Sequence, residues 1–95
     1  MPGSRKSLAL YKIVLTRQAE KDYTYLYRAN KAVFIHVRAS LYSLAEDPHQ
    51  GKPLRLSLKG YWSYRVGVYR IIYTIEHNVL TVTILDIGHR REVYR

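Results

Sequence analysis

Two arginines in the second half of the chain are predicted to lie side by side on one face of a β-hairpin. Residues 64–70 read Tyr-Arg-Val-Gly-Val-Tyr-Arg, and glycine at the first central position of a two-residue loop is typical of a type II′ turn. A turn at Gly67-Val68 places Arg65 directly opposite Arg70. Because like charges opposite each other destabilise a sheet, this pairing indicates that an anion such as a phosphate binds between the two guanidinium groups.

The end of the chain adds further groups that could do chemistry. Register counted outward from the turns predicts that His89 leaves the last strand on the same side as Arg65 and Arg70, with Arg90 and Tyr94 within a turn of it. Arginine binds phosphate through a planar fork of donors, and histidine can transfer a proton near neutral pH. These groups suit RNA cleavage without a metal, which needs deprotonation of the 2′-hydroxyl, neutralisation of the phosphorane and protonation of the leaving oxygen.

Charge and composition limit the classes of molecule that this protein is expected to bind. The 95 residues include 16 Lys and Arg against 7 Asp and Glu, which gives a net charge of +9. A charge of this size favours nucleic acid first, an acidic protein second and an anionic membrane third, and no apolar run is long enough to span a bilayer. The acidic residues are scattered, so we expect no metal and no cofactor. The absence of cysteine suits a cytoplasmic protein.

Ordinary interpretations of the same residues remain open. Arg65 or Arg70 could be a solvated charge on the sheet face, His89 a plain surface residue, and Tyr94 a packing residue. Other basic residues are expected to bind RNA as a diffuse field that follows phosphates; they are Lys52, Arg55, Lys59, Arg91 and Arg95.

The predicted elements are an N-terminal strand at 11–15, two helices capped by Thr16 and Asn30, and three strands at about 61–66, 68–75 and 79–87. Residues 1–9 are interpreted as a disordered or tag-like lead-in, and 10–95 as a single domain. The order predicts an α+β fold, in which both helices pack on one face of a four-stranded antiparallel sheet. A β-bulge would reverse every face assignment beyond it.

The residues from Leu54 to Arg95 resemble the RelE/ParE superfamily of toxins from type II toxin–antitoxin modules, and the RelE branch in particular. The resemblance rests on three short motifs in the right order, at residues 59–67 (KGYWSYRVG), 69–73 (YRIIY) and 87–94 (IGHRREVY). The early strand and both helices also fit the family, so that nearly the whole chain after Leu10 is covered.

This resemblance implies a ribosome-dependent endoribonuclease, an mRNA interferase that enters the ribosomal A site, cuts mRNA and so inhibits translation. An acidic antitoxin would hold it inactive in a hetero-oligomer. By resemblance, Arg65 and Arg70 bind the scissile phosphate, Arg90 is a third phosphate-stabilising arginine, and Tyr94 stacks on or orients the mRNA. His89 occupies a position that is often basic in the family, and we take it as a candidate for proton transfer.

One departure from the family pattern concerns the general base. Some RelE toxins have a lysine two residues after the position of Arg65, whereas this chain has Gly67. The base is therefore His89 or a residue that the sequence does not identify. Two rival functions share the fold: a ParE-like toxin that poisons gyrase without catalysis, and a catalytically inactive nucleic-acid-binding module.

Overall fold

The computed structural model describes residues 10–89. The predicted lead-in and the predictions for Arg90, Arg91, Tyr94 and Arg95 lie outside the described residues. In chain order the elements are β1 (Lys12–Leu15), α1 (Arg17–Ala29), α2 (Lys31–Glu46), β2 (Lys52–Pro53), β3 (Trp62–Val66), β4 (Tyr69–Glu76) and β5 (Thr81–His89).

The strands form one sheet in the order β1-β5-β4-β3-β2. The predicted α+β fold, with two helices packed on the sheet, is confirmed, but two details differ. The sheet has five strands rather than four, because Lys52 and Pro53 pair with the start of β3 as a short edge strand. The sheet is also mixed, because β1 runs parallel to β5 while the other pairs are antiparallel.

Side-chain caps set the limits of the helices, as the sequence predicts. The Thr16 hydroxyl accepts a hydrogen bond from the Ala19 N–H at 3.2 Å, and the Asn30 side chain accepts one from the Val33 N–H at 3.2 Å. Each cap satisfies a backbone donor that has no partner inside its helix. The second helix stops before Pro48, which disfavours helical geometry in the preceding residue. Neither helix within residues 10–89 is long and apolar enough to cross a bilayer.

The core lies between the two helices and one face of the sheet. Apolar stripes at helical spacing meet alternate residues of the central strands, so both periodicities bury the same interface. The buried cluster comprises Ala19, Leu26, Val37, Leu41, Leu44, Ile71, Tyr73, Val82, Ile84 and Ile87.

The pairing of β4 with β5 is interrupted by a β-bulge. Ile72 lies opposite Asp86, whereas the next residue, Tyr73, lies opposite Ile84. Leu85 is therefore an extra residue in β5, and it shifts the alternation of faces by one position.

The bulge overturns the predicted position of His89. Beyond it, Ile87 is buried on the helix face, with only 3% of its surface exposed, and His89 lies opposite Tyr69. The prediction that His89 lies on the same side as Arg65 and Arg70 is wrong, because Arg70 lies opposite Gly88 rather than opposite the histidine.

The first helix holds the bulged part of β5. β1 pairs with β5 only over residues 81–84, so the later residues of β5 have no strand on that side. There the Thr16 hydroxyl donates to the Leu85 carbonyl at 3.1 Å, and the Asp22 carboxylate accepts from the Ile87 N–H at 3.0 Å. The polar groups along this free edge of β5 thus find partners on α1 instead of on another strand. Burial raises the pKa of Asp86, and a hydrogen bond to Asp22 together with repulsion between the two carboxyl groups raises it further.

The Asp86 carboxyl group should make stability depend on pH. Its pKa is higher in the folded than in the unfolded state, so ionisation opposes folding as pH rises through the folded-state pKa. Asp86→Asn should therefore raise the melting temperature at pH 8, and the gain should vanish below about pH 4, where the unfolded-state carboxyl is also protonated. Thermal unfolding across this range provides the check. Glu76→Gln, at the exposed end of β4, controls for loss of one negative charge, and an equal gain at every pH would contradict the account.

Candidate phosphate-binding site

The hairpin between β3 and β4 brings two guanidinium groups together. Gly67 has a φ of +62°, the left-handed region that glycine adopts without strain, and it closes a two-residue loop with Val68. Arg65 consequently lies directly opposite Arg70, in the predicted register. Residues opposite each other in an antiparallel pair project from the same face, so the two cations share the face away from the helices.

An open cleft of about 380 Å³ contains both arginines. One wall comes from the loop that follows α2 and from the edge strand, and the floor comes from β3 and β4. The lining residues are Gln50, Gly51, Lys52, Ser63, Tyr64, Arg65 and Arg70. Three of these seven residues are cationic, so the cleft favours an anion.

Ser63 orients one of the two arginines. Its side chain is buried, with 4% exposed, and its hydroxyl accepts a hydrogen bond from Nη1 of Arg70 at 3.1 Å. Arg70 is half-buried, while Arg65 is exposed to solvent. The guanidinium of Arg70 is therefore held in place before any ligand binds, which lowers the ordering cost of recognition.

A buried tyrosine fixes the wall of the cleft. The Tyr73 hydroxyl donates to the Pro48 carbonyl at 2.7 Å, and burial raises the pKa of Tyr73 to about 12, so that the phenol keeps its proton at neutral pH. Gly51 lies flat against the sheet, where a Cβ atom would come within 2.6 Å of the Ser63 carbonyl oxygen and closer still to the Tyr73 hydroxyl. This close approach brings Lys52, the next residue, to the arginine pair.

The predicted site residues fall into three groups. Lys52, Arg65 and Arg70 meet in the cleft. Arg55 and Lys59 flank the exposed turn Leu56–Leu58 and do not line the cleft. His89 lies on the opposite face of the sheet, with its ring 5.8 Å from that of Tyr69.

Sequence reasoning missed four residues of the cleft, Gln50, Gly51, Ser63 and Tyr64. Period-two alternation places Ser63 on the face of Arg65, but its hydrogen bond to Arg70 depends on the rotamers of both side chains. Gln50 and Gly51 carry no sequence signal for this role, because their position depends on how the loop packs against the sheet. Within residues 10–89, no three His, Cys, Asp or Glu residues are grouped so as to hold a metal ion.

Comparison with known proteins identifies the family. The matching family model is that of the ParE toxin of the type II toxin–antitoxin system parDE, and it matches residues 13–94. The chain belongs to the RelE/ParE superfamily of type II toxins. Toxin RelE of Mycobacterium tuberculosis is 35% identical over 86 residues, which cover 90% of this chain and 87% of that toxin.

Other relatives support membership of this superfamily. Toxin RelG of M. tuberculosis is 49% identical over 53 residues, which cover 55% of this chain and 61% of RelG. The toxin–antitoxin complex RelBE2 of M. tuberculosis contains a chain that superposes with a TM-score of 0.77 at 31% identity, covering 90% of this chain and 97% of that one. The YoeB dimer of Staphylococcus aureus, at 23% identity and a TM-score of 0.72, shares the fold, over 85% of this chain and 98% of that one.

Gly51 offers a test of how the cleft wall is fixed. Gly51→Ala should destabilise the toxin by about 1–3 kcal/mol, a typical cost of overpacking, and Tyr73→Phe by about 1 kcal/mol, because the hydrogen bond to Pro48 is removed. The double variant should be less destabilised than the sum of the two, since removal of the hydroxyl relieves part of the clash. Denaturant unfolding measures all three values, and strict additivity would contradict the contact.

Proposed function

We propose that this toxin is a ribosome-dependent endoribonuclease of the cytoplasm that cleaves mRNA in the A site through attack of the 2′-hydroxyl on the adjacent phosphate. The observation that carries the proposal is the Arg65–Arg70 pair in an open cleft, with Arg70 already oriented by Ser63. Two guanidinium groups on one face can bind the non-bridging oxygens and neutralise the charge that develops on the phosphorane.

The proposal extends to residues beyond the described range through the resemblance to RelE toxins. Arg90 would supply a third guanidinium, and Tyr94 would stack on or orient the mRNA. Both follow β5 in the sequence, and Gly88 of β5 lies opposite Arg70 in the sheet.

Proton transfer needs a group other than His89, because the bulge turns that imidazole toward the helix side of the sheet. Lys52 is the better candidate. It follows Gly51, lines the cleft together with both arginines, and an amine can donate a proton to a leaving oxygen or, once deprotonated, accept one from a hydroxyl.

The proposed partner in the inactive state is an acidic antitoxin, in a toxin–antitoxin hetero-oligomer. Structures of similar chains include the RelBE2 complex and the YoeB–YefM complex of S. aureus. On this toxin, Ile35 and Tyr42 lie seven residues apart on the solvent side of α2, with 53% and 69% exposed. An apolar stripe on a protein of charge +9 suits an acidic segment that folds against it as a helix.

A ParE-like gyrase poison is the second candidate, since the matching family model is named for the ParE toxin. Such a toxin would act through protein contacts alone and would have no use for a preoriented phosphate-binding arginine. Incubation with gyrase and DNA, next to incubation with translating ribosomes, separates the two functions. Stalled gyrase with intact mRNA would favour the ParE-like function.

Cleavage of ribosome-bound mRNA tests the proposal itself. Arg65→Ala should lower the cleavage rate by about 10²-fold or more, because it removes half of the proposed phosphate-binding pair. Arg38→Ala, on the exposed side of α2, removes the same charge outside the cleft and should have little effect. Intact mRNA with the unaltered toxin, or equal rates for both variants, would refute the proposal.

Lys52 and Arg55 form a matched pair for the proton-transfer assignment. Both are exposed cations in the segment between α2 and β3, but Lys52 alone of the two lines the cleft. Lys52→Ala should lower the cleavage rate by about 10²-fold, the usual contribution of a general acid or base, and should change its pH profile. Arg55→Ala should leave both nearly unchanged. Equal losses of cleavage rate in the two variants would mean that Lys52 only adds to the general attraction of RNA phosphates and does not transfer a proton.

A further inference from the structure

The solvent side of α1 carries a second cationic groove. It has a volume of about 480 Å³ and lies opposite the buried stripe that contains Ala19 and Leu26. The spacing of its residues is helical, so they form one continuous strip along the helix. The lining residues, all exposed, are Arg17, Glu20, Lys21, Thr24, Tyr25 and Arg28.

The positive charge at the start of α1 does not stabilise the helix, although Glu20 in the first turn and Arg28 in the last turn do suit the helix dipole. Arg17 is the first residue of α1, where the helix dipole disfavours positive charge, and Lys21 follows one turn later. The two cations are also four residues apart, a spacing at which like charges repel. Among residues 10–89 the one ion pair joins His49 to Asp47 at 3.8 Å, so no carboxylate of that range forms an ion pair with the cations of α1.

We propose that the α1 groove, defined by the six residues above, binds the phosphate backbone of double-stranded RNA. Arg17, Lys21 and Arg28 would contact phosphates, and the hydroxyl groups of Thr24 and Tyr25 would donate hydrogen bonds to phosphate or ribose oxygens. The Glu20 carboxylate also lies in the groove and weakens binding without blocking it.

The chemistry of the groove favours RNA over a protein partner. Tyr25, with 65% exposed, supplies its one large apolar surface, whereas docking of a peptide helix needs two or more apolar residues along one face, at spacings such as i and i+7. Such anchors occur instead on α2, at Ile35 and Tyr42. Double-stranded RNA is recognised by shape and through phosphate and 2′-hydroxyl contacts, and so needs no apolar pocket.

The groove and the cleft lie on opposite layers of the molecule. The α1 helix covers one face of the sheet, and the Arg65–Arg70 pair lies on the other. The toxin could therefore contact a structured RNA on one side while it binds the strand to be cut on the other. The inference rests on the proposed function only in taking RNA as the partner.

Binding of a 20-base-pair RNA duplex, measured by fluorescence anisotropy over a range of salt concentrations, tests the proposal. The variant Arg17→Ala/Lys21→Ala/Arg28→Ala and the control Lys12→Ala/Lys31→Ala/Arg38→Ala each remove three of the nine net charges. We expect the α1 variant to bind more than tenfold more weakly, with a slope of log K against log salt that is shallower by about 0.9 for each phosphate that is no longer neutralised. The control should bind less than threefold more weakly, and Glu20→Gln should bind at least twofold more tightly.

Equal losses of affinity in the α1 variant and the control would overturn the proposal, because they would show that RNA is attracted by the overall positive charge and not by the α1 groove. Unchanged duplex binding together with weaker antitoxin binding would overturn it in favour of a protein surface. The two proposals can fail separately. If the unaltered toxin does not cut mRNA but the α1 variant alone loses duplex binding, the proposed function is wrong and the groove assignment stands.

Discussion

The fold places Arg65 opposite Arg70 on an open sheet face, and the candidate site depends on this pairing of two cationic residues. The turn at Gly67 fixes the register, and Ser63 fixes the guanidinium of Arg70. Like charges directly opposite each other destabilise a sheet, and the packing of the rest of the domain offsets this cost. A bound phosphodiester would convert this repulsion into two charge-assisted hydrogen-bonding interactions, and these would be strongest where negative charge develops during the reaction.

The surrounding structure serves to hold this pair and to complete it. The Tyr73–Pro48 hydrogen bond and the missing side chain of Gly51 press the loop after α2 against the sheet, which brings Lys52 to the arginines. On the other side, α1 binds the bulged part of β5 through Thr16 and Asp22. Buried and hydrogen-bonded supports of this kind restrict motion more than surface charges do, and so they preorganise a site.

Features set by local chemistry could be predicted from the sequence. The caps at Thr16 and Asn30 and the hairpin register around Gly67 depend on residues that are close in the chain. The bulge at Leu85 could not be predicted from the sequence, because Thr16 and Asp22, which bind this part of β5, are more than 60 residues away in the chain. The error it caused is specific: one extra residue moved His89 to the helix face and left proton transfer without its expected group. The short strand β2 and the tight contact of Gly51 were missed because both depend on tertiary packing.

A double-mutant cycle on Arg65 and Arg70 tests most directly whether the two arginines act on one phosphate. The rate of cleavage of ribosome-bound mRNA is measured for each alanine variant and for the double variant. If both guanidinium groups neutralise the same phosphodiester, the double variant should lose much less than the product of the two single losses, because residues that act as a unit are not additive. Losses that multiply would show two independent charges and would contradict the account.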